Sequence, residues 1–190
     1  AVVTATELGV PIDDVISGLG RLDAIPGRFE TVTWPTGVDG GFSVIVDYAH
    51  TPDGLTEVIA AARAVVDESA SVIVVFGCGG DRDQGKRAGM GAAAAAGADR
   101  VIVTSDNPRS EAPMQIIGDV VAGVSSNYRD QVTLNPDRRQ AIGEALDVAQ
   151  SGDIVVIAGK GHEKTQDLGD SVVEFDDRAV AQSFMESSSR

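Results

Sequence analysis

The stretch Ser71-Val72-Ile73-Val74-Val75-Phe76-Gly77-Cys78-Gly79-Gly80-Asp81-Arg82 decides the fold. Its first half is continuously apolar and rich in β-branched residues, the pattern of a strand covered on both faces. Its second half turns abruptly to glycine and charge, which ends the strand in a polar loop. The same change occurs three more times. Residues 42–46 run into Asp47-Tyr48-Ala49-His50, residues 100–104 into Ser105-Asp106-Asn107-Pro108-Arg109, and residues 153–158 into Gly159-Lys160-Gly161-His162-Glu163. Helical periodicity occupies residues 55–66, 86–96, 114–124 and 138–149 between them. Alternating strands and helices are βαβ units, and right-handed crossovers then give an α/β fold. The expected sheet is Rossmann-like and mostly parallel, with helices on both faces.

Further out, residues 28–34 alternate as a strand, 35–41 turn, a short strand falls near 132–134, and 171–175 form a last strand. Residues 176–185 predict a closing helix, and 187–190 a frayed tail. Residues 1–25 read as helical, with Pro11 in a first turn and Val15, Ile16 and Leu19 at helical spacing before Gly20. The break at Ile25-Pro26-Gly27 places a domain boundary there, dividing 1–25 from 26–190.

The chain has 190 residues, 15 Lys+Arg against 29 Asp+Glu and a net charge of −14. That balance disfavours nucleic acid and anionic lipid as partners. A single cysteine makes no internal disulfide. The apolar runs are strand-sized, far below the about 20 residues of a membrane span, so no membrane insertion and a cytoplasmic location are expected. The chain opens without Met inside an Ala/Val-rich stretch, as a piece of a longer polypeptide would.

Parallel sheets bind ligands outside the carboxyl ends of their strands. That rule gathers all four polar segments at one edge. Gly80 to Arg87 imitates a P-loop, but Arg87 stands where a hydroxyl is needed and two aspartates in the loop repel phosphate. The other reading is a polar loop before a helix, with Arg82 either a clamp for an anion or a solvated side chain. Asp106 and Arg109, separated around Pro108, suit a zwitterion, the carboxylate taking an ammonium and the guanidinium a carboxylate. An Asx turn leading into the next helix explains the same residues equally well. Glu163 reads as a ligand carboxylate beside glycines that allow close approach, while Gln166 breaks any H-E-x-x-H zinc pattern. Asp47 is placed to accept ribose hydroxyls and His50 to lie along a base, or both serve local turn bonding and packing. Thr51-Pro52 spells a helix start, and Cys78 reads as a packing residue.

Five ordered segments carry a resemblance that spacing alone does not supply: Pro26-Gly27-Arg28-Phe29-Glu30, Asp47 to Pro52, Phe76 to Asp83, Asp106 to Arg109, and Gly159 to Glu163. Together they resemble the Mur ligase family, in its diaminopimelate-adding branch. The resemblance implies the end of a central ATPase domain over 1–25 and a C-terminal amino-acid-binding domain over 26–190. It implies ATP-dependent addition of meso-diaminopimelate to UDP-N-acetylmuramoyl-L-alanyl-D-glutamate in peptidoglycan synthesis. Arg28, Asp47 and His50 would face ATP. Arg82, Asp106, Asn107, Pro108, Arg109, Gly159 and Glu163 would hold meso-diaminopimelate. ATP and Mg²⁺ would be bound mainly by a domain outside this chain, which alone would fold but not ligate. Three other readings stay open: a nucleotide module using the P-loop-like segment, a ligase for another amino acid such as lysine, and a non-catalytic interaction domain.

Overall fold

The computed structural model describes residues 2–21, 24–35 and 40–187. Two short helices open the chain, α1 (Val2–Glu7) and α2 (Ile12–Leu19). Pro11 occupies the capping position before α2 rather than its first turn, and of the helix only Val15 is buried. Then come β1 (Glu30–Thr31), β2 (Ser43–Asp47), α3 (Pro52–Arg63), β3 (Val72–Cys78), α4 (Gly85–Gly97), β4 (Arg100–Ser105) and α5 (Pro113–Val121). A 3₁₀ turn at Ser126–Gln131 leads to β5 (Val132–Leu134), α6 (Arg138–Val148) and β6 (Ile154–Ala158). A hairpin of β7 (Thr165–Asp167) and β8 (Val172–Glu174) precedes α7 (Asp177–Ser187).

The main sheet runs in the order β1-β2-β6-β3-β4-β5. Only the β1–β2 pairing is antiparallel; β2, β6, β3, β4 and β5 are parallel. Strand β3 is buried along its whole length because both faces are covered. Val72, Val74 and Phe76 pack with Leu55, Val58, Met90, Ile116 and Ile117 from α3, α4 and α5. Ile73 and Val75, alternating to the other side, pack with Ile142, Leu146, Val180 and Met185 from α6 and α7. Each such side chain contributes about 1.5–3 kcal/mol on burial. Side-chain period two thus explains a strand with no polar alternation.

One expected strand needs correction. The strand over 28–34 shrinks to Glu30–Thr31, since Phe29 adopts φ +43° and turns the chain before pairing starts. The last strand falls where expected, as β8, and pairs with β7 in a separate antiparallel hairpin. The turn over 35–41 lies partly outside the described residues, as do residues 188–190 of the expected tail, whereas Ser187 closes α7.

Because β6 enters between β2 and β3, neighbouring strands send their chains to opposite faces. β3 leads to α4 on one side, and β6 leads to α7 on the other. Such a reversal opens a crevice at the carboxyl edge.

Candidate functional site

At that edge the β4 loop begins with Asp106 and Asn107, 8 % and 9 % exposed. Asn107 Nδ2 donates to Glu163 Oε2 at 3.0 Å, and Lys160 Nζ donates to Asn107 Oδ1 at 3.1 Å and to Glu163 Oε2 at 3.0 Å. Lys160 is fully buried and stands 4.0 Å from Asp106 Oδ1. Gly159, at φ +111°, brings its backbone against the same carboxylate, since a β-carbon there would lie 2.9 Å from Asp106 Oδ2. Burial raises the Asp106 carboxyl above its ordinary value, opposed by the charges of Arg138 and Lys160. For Glu163 burial also acts upward, but the hydrogen bonds from Asn107 and Lys160 outweigh it and hold the carboxyl low. Two carboxylates, one amide and one buried cation therefore form a single network, polar enough to receive an ammonium.

The guanidinium side is built from the β3 and β4 loops together. Arg109 Nη1 donates to the Gly80 carbonyl at 2.7 Å, and its Nε lies 3.7 Å from Asp167. Among the described residues its Nη2 makes no hydrogen bond, and Arg82 is exposed with neither hydrogen bond nor ion pair. A β-carbon on Gly79 would lie 3.1 Å from Arg109 Nη1 and 3.6 Å from Arg82 Cγ. The bare backbone of Gly79 is thus the floor between two arginines. A cleft of about 710 Å³ opens beside Arg109, lined also by Asp81, Ser110, Glu111 and Asp167.

This loop pair is held rigidly. Gly80 N–H donates to the Asn107 carbonyl, and Asp81 accepts from the Ser110 hydroxyl and N–H. Arg87, fully buried, forks onto Glu111 at 2.8 Å and reaches Asp119 at 2.9 Å. Those Arg87 hydrogen bonds depress the Glu111 carboxyl to about 2. The hairpin adds a brace: Gln166 Nε2 donates to the Asp106 carbonyl, Asp167 N–H to Asn107 Oδ1, and Arg109 N–H to the Asp167 carbonyl. Asp81 and Arg109 both sit at positive φ, +53° and +52°, a strain these bonds hold in place.

The P-loop-like segment has several of its phosphate-facing groups already committed. The N–H groups of Gly80, Asp81 and Gly85 already donate to Asn107, Glu111 and Asp83, and Lys86 Nζ donates to the His50 carbonyl. Burial pushes the Cys78 thiol up to about 12, which suits packing rather than nucleophilic attack.

The remaining residues assemble at the β2 end. Thr51 caps α3 by accepting from Gly54 N–H, with Pro52 opening the helix. Arg28 stacks over Tyr48, its Cζ 4.5 Å from the ring centroid, and His50 and His162 lie edge-on and tilted to the same ring at 4.6 and 5.6 Å. Asp47 Oδ1 accepts from Ala49 N–H and Oδ2 from Phe29 N–H, both at 2.7 Å. It ties the turn carrying Arg28 to the sheet, leaving one lone pair on each oxygen. Gly27 docks on the β6 loop, where a β-carbon would stand 2.2 Å from His162 N. The structure therefore gathers Asp106, Asn107, Gly159 and Glu163 in one group, Arg82 and Arg109 beside it, and Arg28, Asp47 and His50 in a second group. Lys160, Gln166 and Asp167 are additions. Lys160 was visible as a glycine-flanked lysine after a buried strand, but the polar triplet of β7 gave no periodic signal. Among the described residues no three His, Cys, Asp or Glu side chains are grouped to hold a metal ion.

Comparison with known proteins adds an independent line. The family model for "Mur ligase, glutamate ligase domain" matches residues 27–161. A UDP-N-acetylmuramoyl-L-alanyl-D-glutamate--2,6-diaminopimelate ligase of Geobacillus kaustophilus is 50 % identical over 175 residues, covering 91 % of this chain and 34 % of that protein. The protein of that name in Alkaliphilus metalliredigens is 47 % identical over 181 residues, covering 95 % of this chain and 35 % of its own length. A solved structure bearing the same name superposes with a TM-score of 0.78 at 40 % identity, over 100 % of this chain and 37 % of that one. The chain thus spans about a third of the length of the relatives it matches.

Proposed function

The chain belongs to the Mur ligase family, and from that premise we propose that it supplies the amino-acid-binding part of an ATP-dependent ligase that joins meso-diaminopimelate to UDP-N-acetylmuramoyl-L-alanyl-D-glutamate. In this reading residues 1–25 finish a preceding ATPase domain, and residues 26–190 form the C-terminal domain. The observation that carries it is the network joining Asp106, Asn107, Lys160 and Glu163, with Arg82 and Arg109 alongside. Meso-diaminopimelate bears an ammonium and a carboxylate at each end. Asp106 and Glu163 receive an ammonium, while Arg82 and Arg109 take the distal carboxylate that lysine lacks. Pro108 keeps Asp106 and Arg109 from neutralising one another.

Arg28, with no carboxylate partner among the described residues and lying over Tyr48, is suited to ATP phosphates, and His50 to the base. Asp47 acts chiefly by fixing the Arg28 turn. The dipeptide carboxylate is activated as an acyl phosphate, the diaminopimelate amine attacks it, and ADP and phosphate leave. This chain's share is positioning and charge placement.

The test is ADP release by the complete protein. Release is expected only with ATP, the UDP-linked dipeptide and meso-diaminopimelate together, and none from residues 1–190 alone. Equal turnover with lysine contradicts the substrate, and release by the isolated chain contradicts the division of labour. Loss of ATP binding in Lys86→Ala but not in Asp47→Ala supports the nucleotide-module reading instead. Absence of thermal protection by either ligand supports an interaction domain.

A further inference from the structure

Arg138 and Asp177 are a fully buried pair beneath the site, both side chains 0 % exposed. Arg138 Nε donates to Asp177 Oδ1 and Nη2 to Oδ2, each at 2.8 Å. The guanidinium then reaches two backbone carbonyls, Nη1 to Ser105 O at 3.2 Å and Nη2 to Ala158 O at 3.0 Å. Those residues immediately precede Asp106 and Gly159. They end β4 and β6, which are not neighbours, because β3 runs between them. Ser105 adds a second tie, its hydroxyl donating to the Pro136 carbonyl at 2.7 Å. One planar fork therefore sets the separation of the two strand ends whose next residues meet in the site.

Helix stability does not account for the placement. Arg138 is the first residue of α6, where the helix dipole disfavours a cation. Asp137 already caps that helix by accepting Gln140 N–H. Buried ion pairs are also often no more stabilising than apolar residues of similar volume. Asp177, by contrast, opens α7, where negative charge is favoured, so it is a sound anchor. Arg138 also provides the largest charge effect opposing the burial of Asp106.

We infer that Arg138, anchored by Asp177, is a positioning residue for the amino-acid site, fixing Ser105 and Ala158 so that Asp106 and Gly159 form one lip. The inference rests on the ligase reading above. Its test is steady-state kinetics of the complete ligase, comparing KM for meso-diaminopimelate with KM for ATP. Arg138→Ala alone leaves Asp177 buried without its cation and invites unfolding, so the informative variant is Arg138→Met with Asp177→Leu, which restores packing without the fork. It is expected to melt as a folded protein, with KM for meso-diaminopimelate raised tenfold or more and KM for ATP within twofold of native. A folded double variant with both constants near native overturns the inference. Should the double variant not fold, Arg138→Lys, which keeps the charge but not the fork, gives the same reading: raised amino-acid KM supports the role, and an unchanged value refutes it. Native ligase with no meso-diaminopimelate-dependent turnover instead removes the functional premise, which the unmodified control shows before any variant is made.

Discussion

Asn107 Nδ2 donates to Glu163 Oε2 at 3.0 Å across 56 residues of sequence. The same amide accepts from Lys160 and from the Asp167 N–H through Oδ1. Its oxygen is thus taken twice and one of its two Nδ2 hydrogens is spent on Glu163, so Asn107 orients that carboxylate and keeps one N–H to offer. Lys160, buried under all of them, keeps two nearby carboxylates compatible.

Lys160→Met therefore removes the cation while keeping an apolar stem of similar length. Truncating one partner of a hydrogen-bonded charge pair costs about 2–5 kcal/mol, and the lower end applies because Glu163 is 34 % exposed. The amino-acid KM is expected to rise at least about tenfold (1.4 kcal/mol), with KM for ATP little changed. Steady-state kinetics with each substrate varied checks this, and an equal rise in both constants would count against it.

Gly79→Ala tests the arginine floor with little disturbance to the fold. The glycine needs no positive φ, and the added carbon meets the far end of Arg109 at 3.1 Å rather than backbone. Displacing that guanidinium should weaken meso-diaminopimelate binding by about tenfold and leave lysine binding unchanged, since one charge-assisted hydrogen bond is worth about 1.5–3 kcal/mol. Calorimetry with both amino acids reads the difference.

Amino-acid affinity is expected to fall on acidification earlier than an ordinary aspartate allows. Burial raises the Asp106 carboxyl, with Arg138 and Lys160 opposing and Glu163 and Asp177 adding to the rise. As pH drops through that raised value the carboxylate is protonated and loses its attraction for an ammonium. The acid limb of binding should then lie above about pH 3.9, the unperturbed aspartate value. Asp106→Asn should bind weakly and lose the limb; a limb unchanged in that variant would assign it elsewhere.

Acid stability should depend on Glu111. Arg87 holds its carboxyl at about 2 in the folded chain, below the unfolded value of about 4.3. A depressed carboxyl stabilises fully above the unfolded value, and that contribution is lost as pH falls toward the folded one. Denaturant midpoints from pH 5 to about 2 should decline less steeply in Glu111→Gln than in the native protein. Parallel curves would mean the Arg87 pairing does not act in this way.

The main sheet was legible because its central strands β3 and β6 are continuously apolar, and strand-end polar segments then had only one edge to occupy. β3 and β6 illustrate this: each apolar run ends in glycine within a residue or two of the site. What escaped has physical causes. Thr165-Gln166-Asp167 forms a strand from three polar residues, without the apolar alternation that marks a half-buried one in sequence. The positive φ of Phe29 cut short an alternating stretch that otherwise reads as a longer strand. Arg138 and Asp177, 39 residues apart, look like ordinary charges at helix starts until packing buries them. Asp47 was found, but its carboxylate serves the Arg28 turn first, because two backbone N–H groups lie within reach.

In the proposed function, opposed charges at one sheet edge select an amino acid with a charged group at its far end. Calorimetry of the complete ligase with meso-diaminopimelate and with lysine, for native protein and Arg109→Ala, tests it most directly. Native protein should favour meso-diaminopimelate by about 10²–10³-fold, and Arg109→Ala should bind the two nearly alike. Equal native affinity for both, or a preference that survives Arg109→Ala, contradicts selection by these charges.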